Sequence, residues 1–200
     1  MKFTTILMDA DDTIFDFPKC EYNALWKKFE INAITRTELK LQRFRELIEK
    51  CFDGMGDCET LANTYINELA QQAILIDGAY NALEKITAVF DVYIITNGLS
   101  KVQRGRFGKS PVTKLVKGLF ISDEMGVQKP SKAYFDKVLE SIPEKDKNKI
   151  LVVGDSLTSD MQGGKNAGLA TCIYDSKNKI TLPHALCDFK ISHLEDLLQF

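Results

Sequence analysis

The chain has 200 residues, a formal net charge of −2, and 44% hydrophobic against 27% charged residues. That balance suits a globular chain that buries one core, or one core with a small inserted domain, and it sets disorder aside as the default. Acids and bases are interspersed with no basic stripe, which excludes a nucleic-acid polymer as the expected partner.

In chain order, the opening Met1–Asp12 carries a short apolar run that meets acidic residues at once. It reads as neither a signal peptide nor a membrane span, and no later run is long enough to cross a bilayer. Five cysteines occur, Cys20, Cys51, Cys58, Cys172 and Cys187, and none form a CxxC pair. Free buried thiols in a reducing cytoplasm are the expectation, with no membrane partner.

The stretch Phe3–Met8 is rich in β-formers and stops at Asp9. Similar runs follow at Val92–Thr96, Ile150–Gly154 and Ala170–Tyr174. Doubly covered strands of a parallel sheet have this continuous apolar character. Helical patterns lie between them, for example Lys132–Ser141 and Ser159–Ala167. Alternating strands and helices predict an α/β fold: a Rossmann-like parallel sheet flanked by helices, with right-handed crossovers. From Pro18 to about Ile76 the alternation breaks into helical patterns, Pro18–Asn32, Thr37–Cys51 and Glu59–Ile76, with a loop at Asp53–Asp57. An inserted α-helical cap over 17–76 is therefore expected, with the core formed by 1–16 and 77–200.

Ligands of open α/β sheets bind beyond the carboxyl ends of the strands. Four polar clusters are expected there: Asp9-Ala10-Asp11-Asp12-Thr13, Thr96-Asn97-Gly98, Lys129-Pro130, and Gly154-Asp155 with Asp160. Several carboxylates, a hydroxyl, an amide and an ammonium suit a site that must hold and attack a dianion. Cleaving a phosphate monoester needs very large stabilisation. A carboxylate can attack and give an aspartyl-phosphate, provided cations offset its repulsion of the phosphate. Asp9 and Asp155 could supply carboxylates to Mg2+, which prefers oxygen ligands. Lys129 adds a positive charge, the Thr96 hydroxyl and nearby N–H groups can hold phosphoryl oxygens, and Asp11 can protonate the leaving alcohol and then activate water.

This ordered set resembles the four motifs of the haloacid dehalogenase superfamily, and the helical insert resembles its small cap in position and character. The resemblance implies that Asp9 is the nucleophile, and that Asp11 is the general acid/base with its main-chain carbonyl a Mg2+ ligand. Asp155 would be a further metal ligand and Asp160 a support of the metal shell. Thr96 and Lys129 would bind phosphate, with Asn97 assisting. Asp12 stands where the commoner family form carries glycine. The stretches Ile95–Gly98, Glu124–Pro130 and Gly163–Cys172 look like a branch of pyrimidine 5′-nucleotidases, from which this chain departs by being shorter in the cap and around Arg104–Lys117. The implied function is a Mg2+-dependent phosphatase acting on a small phosphorylated metabolite, a pyrimidine nucleoside 5′-monophosphate first. The alternatives are a phosphatase of phosphoglycolate or a sugar phosphate, then a phosphomutase, a dehalogenase or a non-catalytic relative. No pattern specifies an oligomer.

Three decoys carry less weight. Gly154-Asp155-Ser156-Leu157 spells an esterase signature, but neither His184 nor His193 is placed in a DxxH pair. The Asp9–Ile14 stretch begins like a calcium loop without its turn glycine. Gly164-Lys165-Asn166 lacks the Ser or Thr of a P-loop. Trp26, Phe29, Phe44 and Tyr65 are expected in the core of the cap.

Overall fold

The structure is a computed structural model that describes residues 2–15, 28–31, 33–51 and 56–200. Its centre is a six-stranded sheet: β1 Thr5–Asp9, β2 Asp91–Thr96, β3 Gly118–Ile121, β4 Ile150–Gly154, β5 Ala170–Tyr174 and β6 Phe189–Ile191. The spatial order is β3-β2-β1-β4-β5-β6, and every pairing is parallel. The alternation of side chains along the strands feeds two separate cores. Ile6, Met8, Val92, Ile94, Leu151 and Val153 face one, and Leu7, Tyr93, Ile95, Val152 and Ile173 face the other.

Helices cover both faces. One face takes the helix Ala79–Thr87, whose Ala79, Ala82, Leu83 and Ile86 form one buried stripe at helical spacing. Burying Leu83 and Ile86 contributes about 1.5–3 kcal/mol each. The other face takes the helix Lys132–Ser141 through Tyr134, Phe135 and Val138. This is the α/β fold expected, with two edge strands the sequence pattern did not announce. The strands β3 and β6 span four and three residues, too few to show a periodicity.

Between β1 and β2 run α1 (Arg36–Cys51) and α2 (Cys58–Leu69). Asp57 caps α2 by accepting from the N–H groups of Glu59 and Thr60. Phe44 and Tyr65 pack edge to face, with centroids 5.6 Å apart, and tie the two helices together. The expected helix Glu59–Ile76 ends earlier, at Leu69. Ala73, Leu75 and Ile76 instead pack on the sheet core, and the Ile76 N–H donates to the Ile14 carbonyl at 2.9 Å. Of the expected helix Pro18–Asn32, residues 28–30 are helical and most of the rest, with Cys20 and Trp26, lies outside the described residues. Most of the expected loop Asp53–Asp57 lies outside them too. Among the described residues, no helix is long and apolar enough to cross a membrane.

Candidate active site

The three strands β2, β1 and β4 lie side by side, so their carboxyl ends bring Thr96, Asp9 and Gly154-Asp155 to one edge of the sheet. Lys129 arrives from the loop after the helical turn Ser122–Met125, which Gly126 ends at a φ of 69°. Its side chain is fully buried. The ammonium donates to Asp9 Oδ1 at 2.6 Å, to Asp160 Oδ1 at 2.6 Å and to the Ile95 carbonyl at 3.2 Å. All three N–H groups are thereby assigned.

Asp160 reaches this point because the chain after β4 makes a wide π turn, Leu157–Met161, before the helix Gln162–Ala167. The expected helix Ser159–Ala167 is thus split in two. The N–H groups of Asp160 and Met161 both donate to the Ser156 carbonyl at 3.1 Å, and the Ser156 N–H donates to Asp160 Oδ2 at 3.1 Å. Gly154 leaves the space: a Cβ there would stand 2.4 Å from the Asp160 carboxylate.

Oxygens of Asp9, Asp155 and Asp160 lie within 4.8 Å of one another. Burial raises Asp9 well above the usual carboxylate range, Lys129 pulls it back, and Asp160, Asp155 and Asp11 push it further up. Asp160 is raised for the same first reason, burial, against the pull of Lys129. For Lys129 burial favours the neutral amine, but Asp160 and Asp9 together outweigh it and hold the ammonium charged. When all three carboxyls are ionised, the single ammonium leaves an excess of negative charge, at a site where Asp9 and Asp160 are buried and Asp155 is half-buried. A hard divalent cation with oxygen ligands fits that donor set and would offset the excess.

The Thr96 hydroxyl accepts from the Gly98 N–H at 3.0 Å and from Gln103 Nε2 at 3.1 Å. Its own proton is left to donate. The Thr96 N–H donates at 3.1 Å to the Tyr134 hydroxyl, which donates at 2.7 Å to the Phe120 carbonyl, so β2 is tied to β3 beside the site. Asn97 turns its amide onto the Lys129 backbone, accepting from the Lys129 N–H at 2.8 Å and donating to its carbonyl at 2.9 Å. Asn97 therefore holds the loop that delivers Lys129. The Asp11 carboxylate points the other way, towards the helix Ser100–Lys109. It is held by Gln103 Nε2 at 2.6 Å and by an ion pair with Arg106.

Gln103 and Arg106 did not stand out in the sequence. Their signal is a glutamine and an arginine three positions apart, on a helix that starts at the Thr96-Asn97-Gly98 turn. Both are buried, and the Arg106 guanidinium lies 4.4 Å from the Phe15 ring centroid. Arg36, at the start of α1, also reaches the core. Its guanidinium pairs with Asp123 at 3.1 Å, donates to Ser122 Oγ at 3.3 Å, and covers the Phe29 ring at 4.8 Å. A crevice of about 370 Å³ lies there, lined by Phe29, Thr35, Arg36, Asp123 and Gln128 among others.

Residues 6–174 match the haloacid dehalogenase-like hydrolase family. The chain belongs to that family. Among haloacid dehalogenase-like relatives, the hydrolase YfnB of Bacillus subtilis is 34% identical over 98% of this chain and 94% of its own. A crystal structure of YfnB bound to magnesium superposes with a TM-score of 0.88, at 32% identity, over 100% of this chain and 98% of that one. The pyrimidine 5′-nucleotidase PynA of Streptococcus pneumoniae is 31% identical over 99% of this chain and 94% of its own. The pyrimidine 5′-nucleotidase YjjG of Escherichia coli is 31% identical over 100% and 98%. This haloacid dehalogenase-like hydrolase is therefore related to pyrimidine 5′-nucleotidases over nearly its whole length.

Proposed function

We propose that the chain is a Mg2+-dependent phosphatase of small phosphate monoesters, with pyrimidine nucleoside 5′-monophosphates as its favoured substrates. The observation that carries this reading is the fully buried Lys129 ammonium between Asp9 and Asp160. A charge held dry beside a carboxylate, at the edge of a sheet, is what an attacking carboxylate needs if it is to meet a dianion. The relation to PynA and YjjG supports the pyrimidine nucleotide as substrate.

In this mechanism an Asp9 oxygen attacks phosphorus while the ester P–O bond breaks, and Asp11 gives its proton to the leaving oxygen. Water then attacks the phospho-aspartate, Asp11 takes the water's proton, and the Asp9–phosphorus bond breaks. Lys129 offsets charge on the phosphoryl oxygens, and the Thr96 hydroxyl donates to one of them. Asn97 assists by holding the Lys129 backbone. Asp9, Asp155 and the Asp11 main-chain carbonyl would hold Mg2+, with Asp160 supporting them; when bound, the ion neutralises phosphoryl charge. We place the cap at 17–76 and the catalytic core at 1–16 and 77–200, with the crevice around Phe29 and Arg36 on the leaving-group side.

Purified protein is expected to hydrolyse uridine and thymidine 5′-monophosphates with a higher kcat/KM than phosphoglycolate or hexose phosphates at one magnesium concentration. Asp9→Asn should fold normally and lose activity by at least about a thousandfold, since the covalent step vanishes. Chelation with EDTA should abolish turnover and added magnesium restore it. Substantial phosphatase activity in folded Asp9→Asn would overturn the mechanism. A panel in which the pyrimidine nucleotides rank lowest would overturn the substrate and leave the chemistry standing.

A further inference from the structure

The helix Ser100–Lys109 carries two buried polar side chains on one face, Gln103 and Arg106, and both end on the Asp11 carboxylate. We propose that Gln103 and Arg106 are positioning residues that aim Asp11 at the leaving oxygen. The inference rests on the phosphatase reading above and adds a device to it.

The site is built to admit these two residues. A Cβ at Gly98 would stand 2.3 Å from Gln103 Nε2, so the turn leaves room for the glutamine. A Cβ at Gly105 would stand 2.4 Å from the Ala70 carbonyl, so the helix is seated firmly against the chain that follows α2. The Arg106 guanidinium lies over the ring of Phe15, which itself packs edge to face on Phe107 with centroids 5.0 Å apart. Gln103 Oε1 is buried without a hydrogen-bond partner among the described residues. A position that served only packing would hold leucine or methionine and avoid the cost of about 1–3 kcal/mol for an orphaned buried acceptor.

The aiming follows from donor inventory. A guanidinium and an amide NH2 can only donate. They hold an ionised Asp11 by one oxygen each. Neither can accept a hydrogen bond from Asp11, so on an Asp11 that carries a proton the O–H bond must point away from the guanidinium and the NH2, while the oxygens still accept from them through their lone pairs. The side left for the O–H is the side of the substrate, held beside the adjoining strand ends of Asp9 and Thr96, where the ester P–O bond breaks as the Asp11 proton moves to the leaving oxygen. Gln103 Nε2 also donates to Thr96 Oγ1, so one amide sets both the acid and the hydroxyl.

The test uses two esters that differ in their need for an acid. A nucleoside 5′-monophosphate releases a poor leaving group and depends on Asp11; 4-nitrophenyl phosphate releases a good one and depends on it far less. The parameter is kcat/KM, because it stops at phosphorylation of Asp9 and omits the shared water step. The readout is the ratio of kcat/KM for uridine 5′-monophosphate to that for 4-nitrophenyl phosphate, with magnesium present. Asp11→Asn gives the full size of the ratio change. Arg106→Met and Gln103→Met are each expected to lower the ratio at least about fivefold, with Gln103→Met also slowing both esters through Thr96. Arg106→Lys should recover part of the ratio. A ratio equal to wild type in both methionine variants overturns the proposal, whatever the absolute rates, since a purely structural role slows both esters together. Should Arg106→Met fail to fold, Gln103→Met, neutral for neutral and close in volume, carries the same test. A wild-type protein that cleaves neither ester would instead overturn the phosphatase reading.

Discussion

Lys129 is a buried cation whose three N–H groups all have partners, so its removal has a consequence beyond catalysis. Lys129→Met keeps the volume but leaves Asp9 and Asp160 facing each other without a counter-charge. Breaking one side of a buried ion pair costs about 3–5 kcal/mol. Burial already raises both carboxyls in the native protein, and loss of the ammonium raises them further. A folded carboxyl raised above its unfolded value of about 3.9 binds its proton more tightly in the folded state. The stability it contributes is complete below the unfolded value and is lost as pH rises through the folded one. The deficit of Lys129→Met is therefore expected to be largest at neutral pH and to shrink in mild acid, which urea unfolding of both proteins at pH 7 and pH 5 would measure. A deficit independent of pH would contradict this. Residue-scale chemistry also explains a departure noted in the sequence. Asp12, in the place where glycine is commoner, has a φ of 57°, the left-handed region that glycine occupies at no steric cost and that Asp tolerates better than most residues.

At the scale of elements, the helix Ser100–Lys109 contains its own control. Gly105 faces the Ala70 carbonyl, whereas a Cβ at Gly108 would meet nothing within 4 Å. Gly108→Ala is expected to stabilise the protein by about 0.5–1 kcal/mol through helix propensity. Gly105→Ala should cost about 1–3 kcal/mol by overpacking, and should also disturb Gln103 and Arg106. Chemical unfolding of the two variants checks the opposite signs. What was legible in the sequence follows the same division. Strands β4 and β5 and the helix Lys132–Ser141 match their expected bounds, because buried central elements carry long unbroken patterns. The short edges β3 and β6 carry no pattern of their own, and the expected helix Glu59–Ile76 overruns the end of α2 because Ala73, Leu75 and Ile76 continue an apolar rhythm that the sheet core, not the helix, absorbs. At the site, residues at strand ends could be placed together from sequence because topology puts them there. Gln103 and Arg106 could not, since a polar residue on a mid-helix face reads as solvated until the fold shows what it faces.

For the whole molecule, the order β3-β2-β1-β4-β5-β6 puts the chemistry over the most protected strands. Strands β1 and β4 are buried along their whole length and paired on both sides, while β3 and β6 are largely half-buried and paired on one. Native-state hydrogen exchange should therefore be slowest at Ile6–Met8 and Leu151–Val153 and faster at the two edges. Faster exchange in the centre than at β6 would contradict this placement. The shortness of those edges also bears on aggregation. The inner strands read TILMD, DVYIIT, ILVVG and ATCIY, apolar β-forming segments of the kind that stack into fibrils when their backbones lie open. The strands that shield them have four and three residues, too little backbone to template an incoming chain. A chain cut before Phe189 would leave Ala170–Tyr174 as the exposed border of the sheet, and its failure would be clumping through that border as much as loss of stability.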